Sequence, residues 1–320
     1  MHRRALLAAP LVLAAPALAQ TYPDRPVRLV IPYPPGGSLD VVGRAVGQRF
    51  QELTGQPLVM DNRSGASGTV AADHVAKSRP DGSTLILASA AQLSIAGALM
   101  PGLPYNPRTD LIPVTWLVTT PYALFASAKF GPTDLAGVLA RGRAEPGTIP
   151  FGSPGGNGSI GHLALEMMSQ ATDTRWLHVP YRGAAPLLND MVAGTVALTF
   201  TVPASALPMA QSGMLKPIAV AAPERTPLMP EVASFAELGF PQVDCQLWLG
   251  VMAPRGMPQP IVARVNEVLL ETLRDPTVRA TLERSGAAIA GHGPAEFAAL
   301  LEADQPRWGE VIRRGNITLN

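Results

Sequence analysis

The chain has 320 residues, a net charge of +1 and 47% hydrophobic residues, so it is long enough for two domains and carries no basic excess that would favour a nucleic-acid partner. Its hydrophobic content excludes intrinsic disorder, although 33 prolines and 30 glycines predict many turns. The single cysteine, Cys245, excludes an internal disulfide and a thiolate-ligated metal cluster.

The first residues, 1–19, have the features of a secretory signal peptide. Two arginines precede an apolar core over residues 5–15, and Ala17-Leu18-Ala19 fits a cleavage site before Gln20. The apolar core is shorter than the roughly 20 residues that span a bilayer. These features predict export to the periplasm and removal of residues 1–19.

The first strongly patterned segment is IPYPPGGSLDVVGRAVGQRF, residues 31–50. The β-branched run over residues 27–31 predicts a strand buried on both faces, which the prolines then end. Gly36 and Gly37 suit a turn, and Ser38 is a favourable N-cap for the helix that follows. Such a turn presents free N–H groups at the positive end of a helix, where anions bind in open α/β sheets. The alternative is a tight connection in which Ser38 and Asp40 only cap their own helix.

The next elements continue as strands and helices in alternation. Their predicted bounds are strand 57–61, helix 69–77, strand 84–89, a helical piece near Ile95, crossover strands 112–120 and 122–127, and helix 135–143. The order βαβαβ is typical of a mostly parallel sheet with helices on its faces.

A second glycine-rich loop opens a helix after a strand at 148–151. Gly156, Gly158 and Gly161 have the spacing G-x-G-x-x-G, which is typical of dinucleotide sites. In such sites an acidic residue after the next strand binds the ribose, but here strand 176–179 runs into Pro180-Tyr181-Arg182-Gly183. What the loop shares with a nucleotide site is a helix start whose N–H groups can bind an anion.

A third loop, PYRGAAPLLNDMVAG over residues 180–194, opens a helix from about Ala185. The remaining predicted elements are strands 196–202, 217–221 and 246–252, and helices 261–273, 277–285 and 294–312. Two α/β units joined by crossings near residues 121 and 246 indicate two lobes around a cleft that closes by hinge motion.

Several of these segments, in this order, closely resemble the Bug proteins, the periplasmic solute-binding components of tripartite tricarboxylate transporters. The segments are PYPPGGSLDVVGR, NRSGASG, DGSTLIL, YNPRTDLIPV, FGSPGGNGS, HVPYRGAAPLLNDMVAG and APERTPLMPEV. The resemblance implies a type II periplasmic-binding-protein fold of class α/β, with lobe 1 formed by residues 20–121 plus 247–320 and lobe 2 by residues 122–246. The chain departs from the pattern at Ala197, where many members have Asp, and at Ser234, where Thr is usual.

The resemblance also implies a site in which main-chain amides and bridging waters hold a small carboxylated ligand. On the first lobe the implied residues are Pro35, Gly36, Gly37, Ser38, Ser89 and Ala90. On the second lobe they are Gly155, Gly156, Asn157, Gly158, Ser159, Tyr181, Gly183 and Ala184.

Three further side chains have alternative interpretations. Asp40 either stabilises its helix or contacts the ligand through a water, a ligand ammonium group or a protonated group, because an ionised carboxylate repels another. Arg182 either pairs with a distal carboxylate or is a solvated surface charge. His162 is expected to cap or pack, and no metal or cofactor is predicted.

These observations predict a monomeric periplasmic binding protein that is not an enzyme. Its ligand would be a small organic acid, either a dicarboxylate, a tricarboxylate, an aromatic acid or an acidic amino acid, delivered to membrane transporter subunits or a sensor. Two alternatives remain, namely an exported enzyme that acts on a phosphate or acyl substrate and a cleft used for protein contact. The enzyme would need a general base or a metal in the cleft.

Overall fold

The computed structural model describes residues 22–318, and the predicted signal peptide lies outside the described residues. Ten strands in this part of the chain form one curled sheet. They are β1 Val27–Ile31, β2 Leu58–Asn62, β3 Thr84–Ala88, β4 Leu111–Ser127, β5 Pro150–Ser153, β6 Leu177–Pro180, β7 Leu198–Thr201, β8 Leu215–Ala221, β9 Gln246–Pro254 and β10 Ala288–His292.

The described residues also form ten α-helices, and short 3-10 or π turns connect some of the elements. The helices are α1 Ser38–Thr54, α2 Thr69–Ala76, α3 Ala96–Leu99, α4 Leu135–Ala144, α5 Ile160–Thr172, α6 Ala184–Ala193, α7 Pro203–Gln211, α8 Gln259–Arg274, α9 Pro276–Arg284 and α10 Pro294–Gly315. A π turn, Ala91–Ile95, follows β3. No helix within residues 22–318 is long and apolar enough to cross a membrane.

Two parallel groups of strands are joined by two long antiparallel strands. In the first group β1 lies between β2 and β3, and in the second group β5 lies between β6 and β7. β9 pairs with β3 and β4, and the second half of β4 pairs with β7 and β8. The α/β class expected from the sequence is confirmed by this arrangement, because helices alternate with parallel strands in both groups.

β4 passes from one half of the molecule to the other without a break. Its residues 111–121 pair with β9, and its residues 122–127 pair with β8. The predicted pair of crossover strands was therefore wrong, since one strand of 17 residues replaces it. The pairing of β4 with β9 has two register shifts, between Pro113 and Thr115 and between Trp116 and Val118. The return crossing lies beside the first, because the Tyr122 N–H donates to the Cys245 carbonyl over 2.9 Å.

The hydrophobic core lies along the sheet, between the strands and the helices that cover them. Val30, Ile31 and Leu87 are fully buried because strands covered on both faces present apolar side chains in succession. α1 packs on α8, and α2 packs on β3 and β9. α10 contacts β4 and also α5, so it runs along both halves.

Two elements were not predicted from the sequence. Pro203 ends the strand as expected, but it also begins α7, because proline fits the first position of a helix. β10 was not predicted because its sequence, AIAGH, is short and contains a glycine. The predicted cap of α1 was also wrong, since Gly37 is the N-cap and Ser38 is the first helical residue.

Candidate functional site

A cavity of about 1200 Å³ lies between the two halves of the sheet. Its walls are the loops that follow β1, β2 and β3 on one side and β5, β6 and β7 on the other. Open α/β sheets bind ligands at the carboxyl ends of their parallel strands. The cavity is therefore the candidate binding site.

The buried carboxylate of Asp40 holds the loop after β1 in place by accepting hydrogen bonds. Asp40 is only 4% exposed, and its carboxylate accepts hydrogen bonds from the Gly36 N–H over 3.0 Å and from Arg44 Nε over 2.8 Å. Asn62 donates to its second oxygen over 3.2 Å. The Arg44 hydrogen bond holds the pKa of Asp40 below its usual value. Asp40 is thus an ionised acceptor for its own loop, and the Gly36 N–H has its acceptor within the protein.

The main-chain N–H groups of this loop that remain without an acceptor follow Gly36 in the chain. α1 begins at Ser38, and the first N–H groups of a helix have no acceptor within the helix. Gly37, Ser38 and Leu39 line the cavity at this helix start. They can donate main-chain hydrogen bonds to an anion.

Gln92 connects the three loops on this side of the cavity. Its buried carboxamide donates to the Tyr33 hydroxyl over 3.1 Å and to the Ser67 carbonyl over 2.9 Å. Its oxygen accepts from the Ser89 N–H over 3.0 Å. Gly68 has φ +88°, and a Cβ there would clash with the Gln92 amide nitrogen and lie 2.7 Å from Pro32 Cβ, so this position requires glycine. A glutamine inside an apolar run was the one signal for this role, since a buried amide needs partners.

The loop after β5 is fixed by a histidine in the same way. The Gly158 N–H donates to His162 Nδ1 over 3.1 Å, and Ser159 Oγ accepts from the His162 N–H over 3.3 Å as the cap of α5. Ser159 N–H donates to the Gly156 carbonyl over 3.2 Å. The donors that remain at this helix start are those of Ile160 and Gly161, and both residues line the cavity.

A second histidine lies directly behind the first. The rings of His162 and His178 are stacked with centroids 3.8 Å apart, and His178 Nε2 is 2.7 Å from Ser153 Oγ. Burial, helped by the neighbouring His178, lowers the pKa of His162 to about 4, and burial lowers the pKa of His178. Both rings are therefore neutral near pH 7, and His162 Nδ1 is free to accept the Gly158 hydrogen bond.

Glu166 lies one helical turn after His162, with 4.0 Å between its Oε1 and His162 Nε2. Burial raises its pKa. Within residues 22–318 no group of three or more His, Cys, Asp or Glu side chains is arranged to hold a metal ion.

The loop after β6 contributes one charged side chain. Arg182, Gly183 and Ala184 line the cavity, and α6 begins at Ala184. The Tyr181 hydroxyl is directed elsewhere, because it donates to Asp190 Oδ2 over 2.5 Å. Burial and the Asp190 hydrogen bond raise the pKa of Tyr181 to about 12.

The structure brings most of the predicted site residues to one cavity. Those that line it are Pro35, Gly36, Gly37, Ser38, Ser89, Gly155, Gly158, Ser159, Arg182, Gly183 and Ala184. Those outside its lining are Asp40, Ala90, Gly156, Asn157 and Tyr181. Asp40 and Tyr181 are occupied by protein partners, and Ala90 is fully buried.

Other lining residues were missed from the sequence. They include Tyr33, Ser64, Gly65, Ser67, Tyr122, Thr201, Val202, Ser205 and Leu247. Tyr122 and Leu247 lie where the two long strands cross between the halves, so only the topology brings them to the cavity.

Comparisons with known proteins agree on one family. Residues 42–317 match the family model for the tripartite tricarboxylate transporter family receptor, TctC. The chain is 34% identical to Protein BugT of Bordetella pertussis over 302 residues, covering 94% of this chain and 92% of that protein.

Solved structures give the same result. The structure of R. palustris Rpa4515 with adipate is 32% identical, has a TM-score of 0.84, and aligns over 93% of this chain and 99% of that chain. The structure of the periplasmic binding protein BugD is 28% identical, with a TM-score of 0.81 over 93% of this chain and 99% of that chain.

Proposed function

The chain belongs to the tripartite tricarboxylate transporter family of receptors, to which the Bug proteins belong, and from this premise we propose that it captures one small carboxylated metabolite in the cavity. The family consists of periplasmic solute-binding receptors and not enzymes, so the protein has a solute-binding role. We further propose that the cavity is the binding site, that main-chain donors at its walls hold the ligand, and that the protein delivers the ligand to transporter subunits or a sensor.

The observation that carries the proposal is the convergence of three helix starts on one cavity. α1, α5 and α6 all begin in residues that line it. Each helix start offers free N–H groups and the positive end of a helix dipole, which favours a carboxylate. In the proposed complex, Gly37 and Ser38 bind from one lobe, and Gly161 and Ala184 bind from the other.

The enzyme alternative has no support. Ser153 and His178 are within hydrogen-bond distance, which a nucleophile and its base require, but Ser153 is fully buried and lies outside the cavity lining. A substrate in the cavity would not reach the Ser153 hydroxyl. The family is one of receptors, in agreement with this geometry.

The division into lobes belongs to the same proposal. We assign residues 20–121 plus 247–320 to lobe 1 and residues 122–246 to lobe 2, because β4 changes partners at Pro121 and β9 begins at Gln246. The lobes would close around the ligand by bending at these two crossings. The chain would act as a monomer, exported to the periplasm after removal of residues 1–19.

Thermal unfolding of the purified mature chain with a panel of organic acids tests the proposal. The panel contains dicarboxylates, tricarboxylates, aromatic acids and acidic amino acids, each with a neutral amide analogue as control. A ligand at one hundred times its dissociation constant should stabilise the protein by about 2.7 kcal/mol. Stabilisation by the acids alone is expected, and equal stabilisation by the amides, or none by any acid, would refute carboxylate capture.

A further inference from the structure

Gln92 fixes the direction of the hydrogen bonds among the loops after β1, β2 and β3. Its Oε1 accepts from the Ser89 N–H over 3.0 Å, and its Nε2 donates to the Ser67 carbonyl over 2.9 Å. The Ser89 N–H can only donate and the Ser67 carbonyl can only accept, so the amide has one possible orientation. The second hydrogen of its nitrogen is therefore donated to the Tyr33 hydroxyl oxygen, 3.1 Å away.

The Tyr33 hydroxyl must then direct its own proton to another atom. In the part of the chain that the structure describes, the acceptor within reach is the Ser67 carbonyl, 3.3 Å from Tyr33 Oη. This distance is longer than the about 2.5–3.0 Å of an ordinary O–H···O hydrogen bond, and the same carbonyl already accepts from Gln92. Burial raises the pKa of Tyr33, although the Gln92 hydrogen bond acts against it, so the phenol keeps its proton at neutral pH. Tyr33 is thus a donor with a poorly placed acceptor.

The loop that carries Ser67 has an unusual backbone conformation. Ala66 has φ 45° and Ser67 has φ 55°, in the left-handed region that residues with a Cβ rarely adopt. Strained backbone of this kind persists only where surrounding contacts determine it, and it is concentrated at sites that hold ligands. The hydrogen bonds from Gln92 and Tyr33 to the Ser67 carbonyl are such contacts. The strained loop and the Tyr33 hydroxyl therefore belong to one arrangement at the cavity wall.

We propose that Tyr33 is a further ligand-binding residue, whose hydroxyl donates to a ligand carboxylate, and that Gln92 is the positioning residue that makes this hydroxyl a donor. Tyr33 and Ser67 both line the cavity, so a ligand oxygen can replace the long contact with the Ser67 carbonyl. A carboxylate is the better acceptor, because hydrogen bonds to a charged oxygen are shorter and about twice as strong. The Ser67 carbonyl keeps its bond to Gln92. This inference rests on the proposed function and adds a side-chain donor to it.

Titration calorimetry of Tyr33→Phe tests the donor. The probes are butanedioate, citrate, benzoate and glutamate, one acid from each class of the thermal panel. The substitution removes only the hydroxyl, so the Kd of each acid that binds the wild type should rise about 10- to 100-fold. Tyr181→Phe is the matched control, because the Tyr181 hydroxyl donates to Asp190 and Tyr181 lies outside the cavity lining. It should leave each Kd within a few-fold of the wild-type value.

Gln92→Met tests whether Gln92 acts through Tyr33. Methionine is similar in length but has no amide, so it no longer donates to the Tyr33 hydroxyl. The substitution should raise the Kd by a larger factor in the wild-type protein than in Tyr33→Phe, because the effects of residues that act through each other are not additive. Gln92→Glu keeps the length and the acceptor for the Ser89 N–H, and it gives the same comparison if Gln92→Met does not fold.

The outcomes separate the two residues from the proposed function. Equal factors in the two backgrounds would overturn the role of Gln92, since Gln92 would then act on the loops without Tyr33. An unchanged Kd in Tyr33→Phe, or an equal loss in Tyr181→Phe, would overturn the role of Tyr33 while carboxylate capture still stands. Failure of every acid of the panel to bind the wild-type protein would instead overturn the proposed function itself.

Discussion

Gln92 and His162 each bind the backbone of a cavity loop from behind. Gln92 holds the Ser67 carbonyl and the Ser89 N–H, and His162 holds the Gly158 N–H. Neither residue appears in the cavity lining. A buried polar group without a partner costs about 1–3 kcal/mol, so these side chains and their loops fix each other in place. The donors left for a ligand are therefore the ones that these contacts do not use.

The lowered pKa of His162 predicts how the free energy of unfolding depends on pH. Its pKa is about 4 in the folded protein and near 6.5 when unperturbed. Between these values the unfolded chain binds more protons than the folded one, so stability is full above about pH 6.5 and is lost as the pH falls toward 4. Between about pH 7 and about pH 5 the loss from His162 alone should be about 2 kcal/mol.

Urea unfolding of the wild type and of His162→Asn across this pH range measures the effect. Asparagine keeps an acceptor close to the position of Nδ1 but does not titrate, so the variant should lose less stability on acidification. The raised pKa of Glu166 acts in the opposite direction, because the folded protein then takes up that proton first, and Glu166 is present in both proteins. Parallel stability curves for the two proteins would contradict the assignment.

At the scale of elements, three helix starts line the cavity, and the donors of the proposed site can be removed one at a time. Ser38 is the first residue of α1, and the preceding Gly37 is extended with ψ 172°, which a following proline accepts. Proline already begins α7, α9 and α10 of this chain. Ser38→Pro therefore deletes one N–H while leaving the helix intact.

Ser38→Pro should weaken binding of an organic acid, because it removes an N–H that donates to the carboxylate in the proposed complex. A hydrogen bond to a charged group contributes about 1.5–3 kcal/mol, so we expect a Kd about 10- to 100-fold higher by titration calorimetry. Ser38→Ala keeps the N–H and is the matched control, with a Kd within a few-fold of the wild type. Unchanged affinity in Ser38→Pro together with an unchanged melting temperature would exclude this donor.

The loops that line the cavity could be located from the sequence, but their internal contacts could not. Glycine and proline after a strand mark a turn into a helix, and this local chemistry identified the loops around Gly37, Gly158 and Gly183. Whether a main-chain N–H in such a loop is available to a ligand depends on which side chains accept a hydrogen bond from it. Gly36 and Gly158 lose their donors to Asp40 and His162, and spacing alone does not reveal which side chain turns inward.

At the scale of the whole molecule, the α/β class and the family were predicted correctly, while the crossings were not predicted in detail. The apolar runs of the parallel strands give a clear signal because both faces are buried. The sequence of β4 gives an ambiguous signal, because Pro121 suggests a break in the strand. In the structure the strand continues, and Pro121 pairs with Gln246. The cavity residues at this point, Tyr122 and Leu247, could be found only after the two crossings were placed side by side.

The two crossings also predict a motion. β4 and β9 connect the halves beside each other, and α10 joins them at the back through the bond from Gln170 Nε2 to the Val311 carbonyl over 3.2 Å. With the connections on one side, the cavity can narrow by bending of the strands. A ligand that contacts both lobes binds the narrow form better and shifts the population toward it.

Small-angle X-ray scattering should therefore show a smaller radius of gyration when an organic acid that stabilises the protein in thermal unfolding saturates it, with a midpoint at the calorimetric Kd. Ala184→Pro supplies the discriminating variant, because it removes one N–H at the start of α6, on the second lobe only. If both lobes hold the ligand, this variant needs more of the same acid for the same compaction. Arg175→Gln is the control and should behave like the wild type, because Arg175 is exposed and lies outside the cavity lining. If one lobe alone held the ligand, binding would saturate without any change in the radius of gyration, and closure would have to be abandoned.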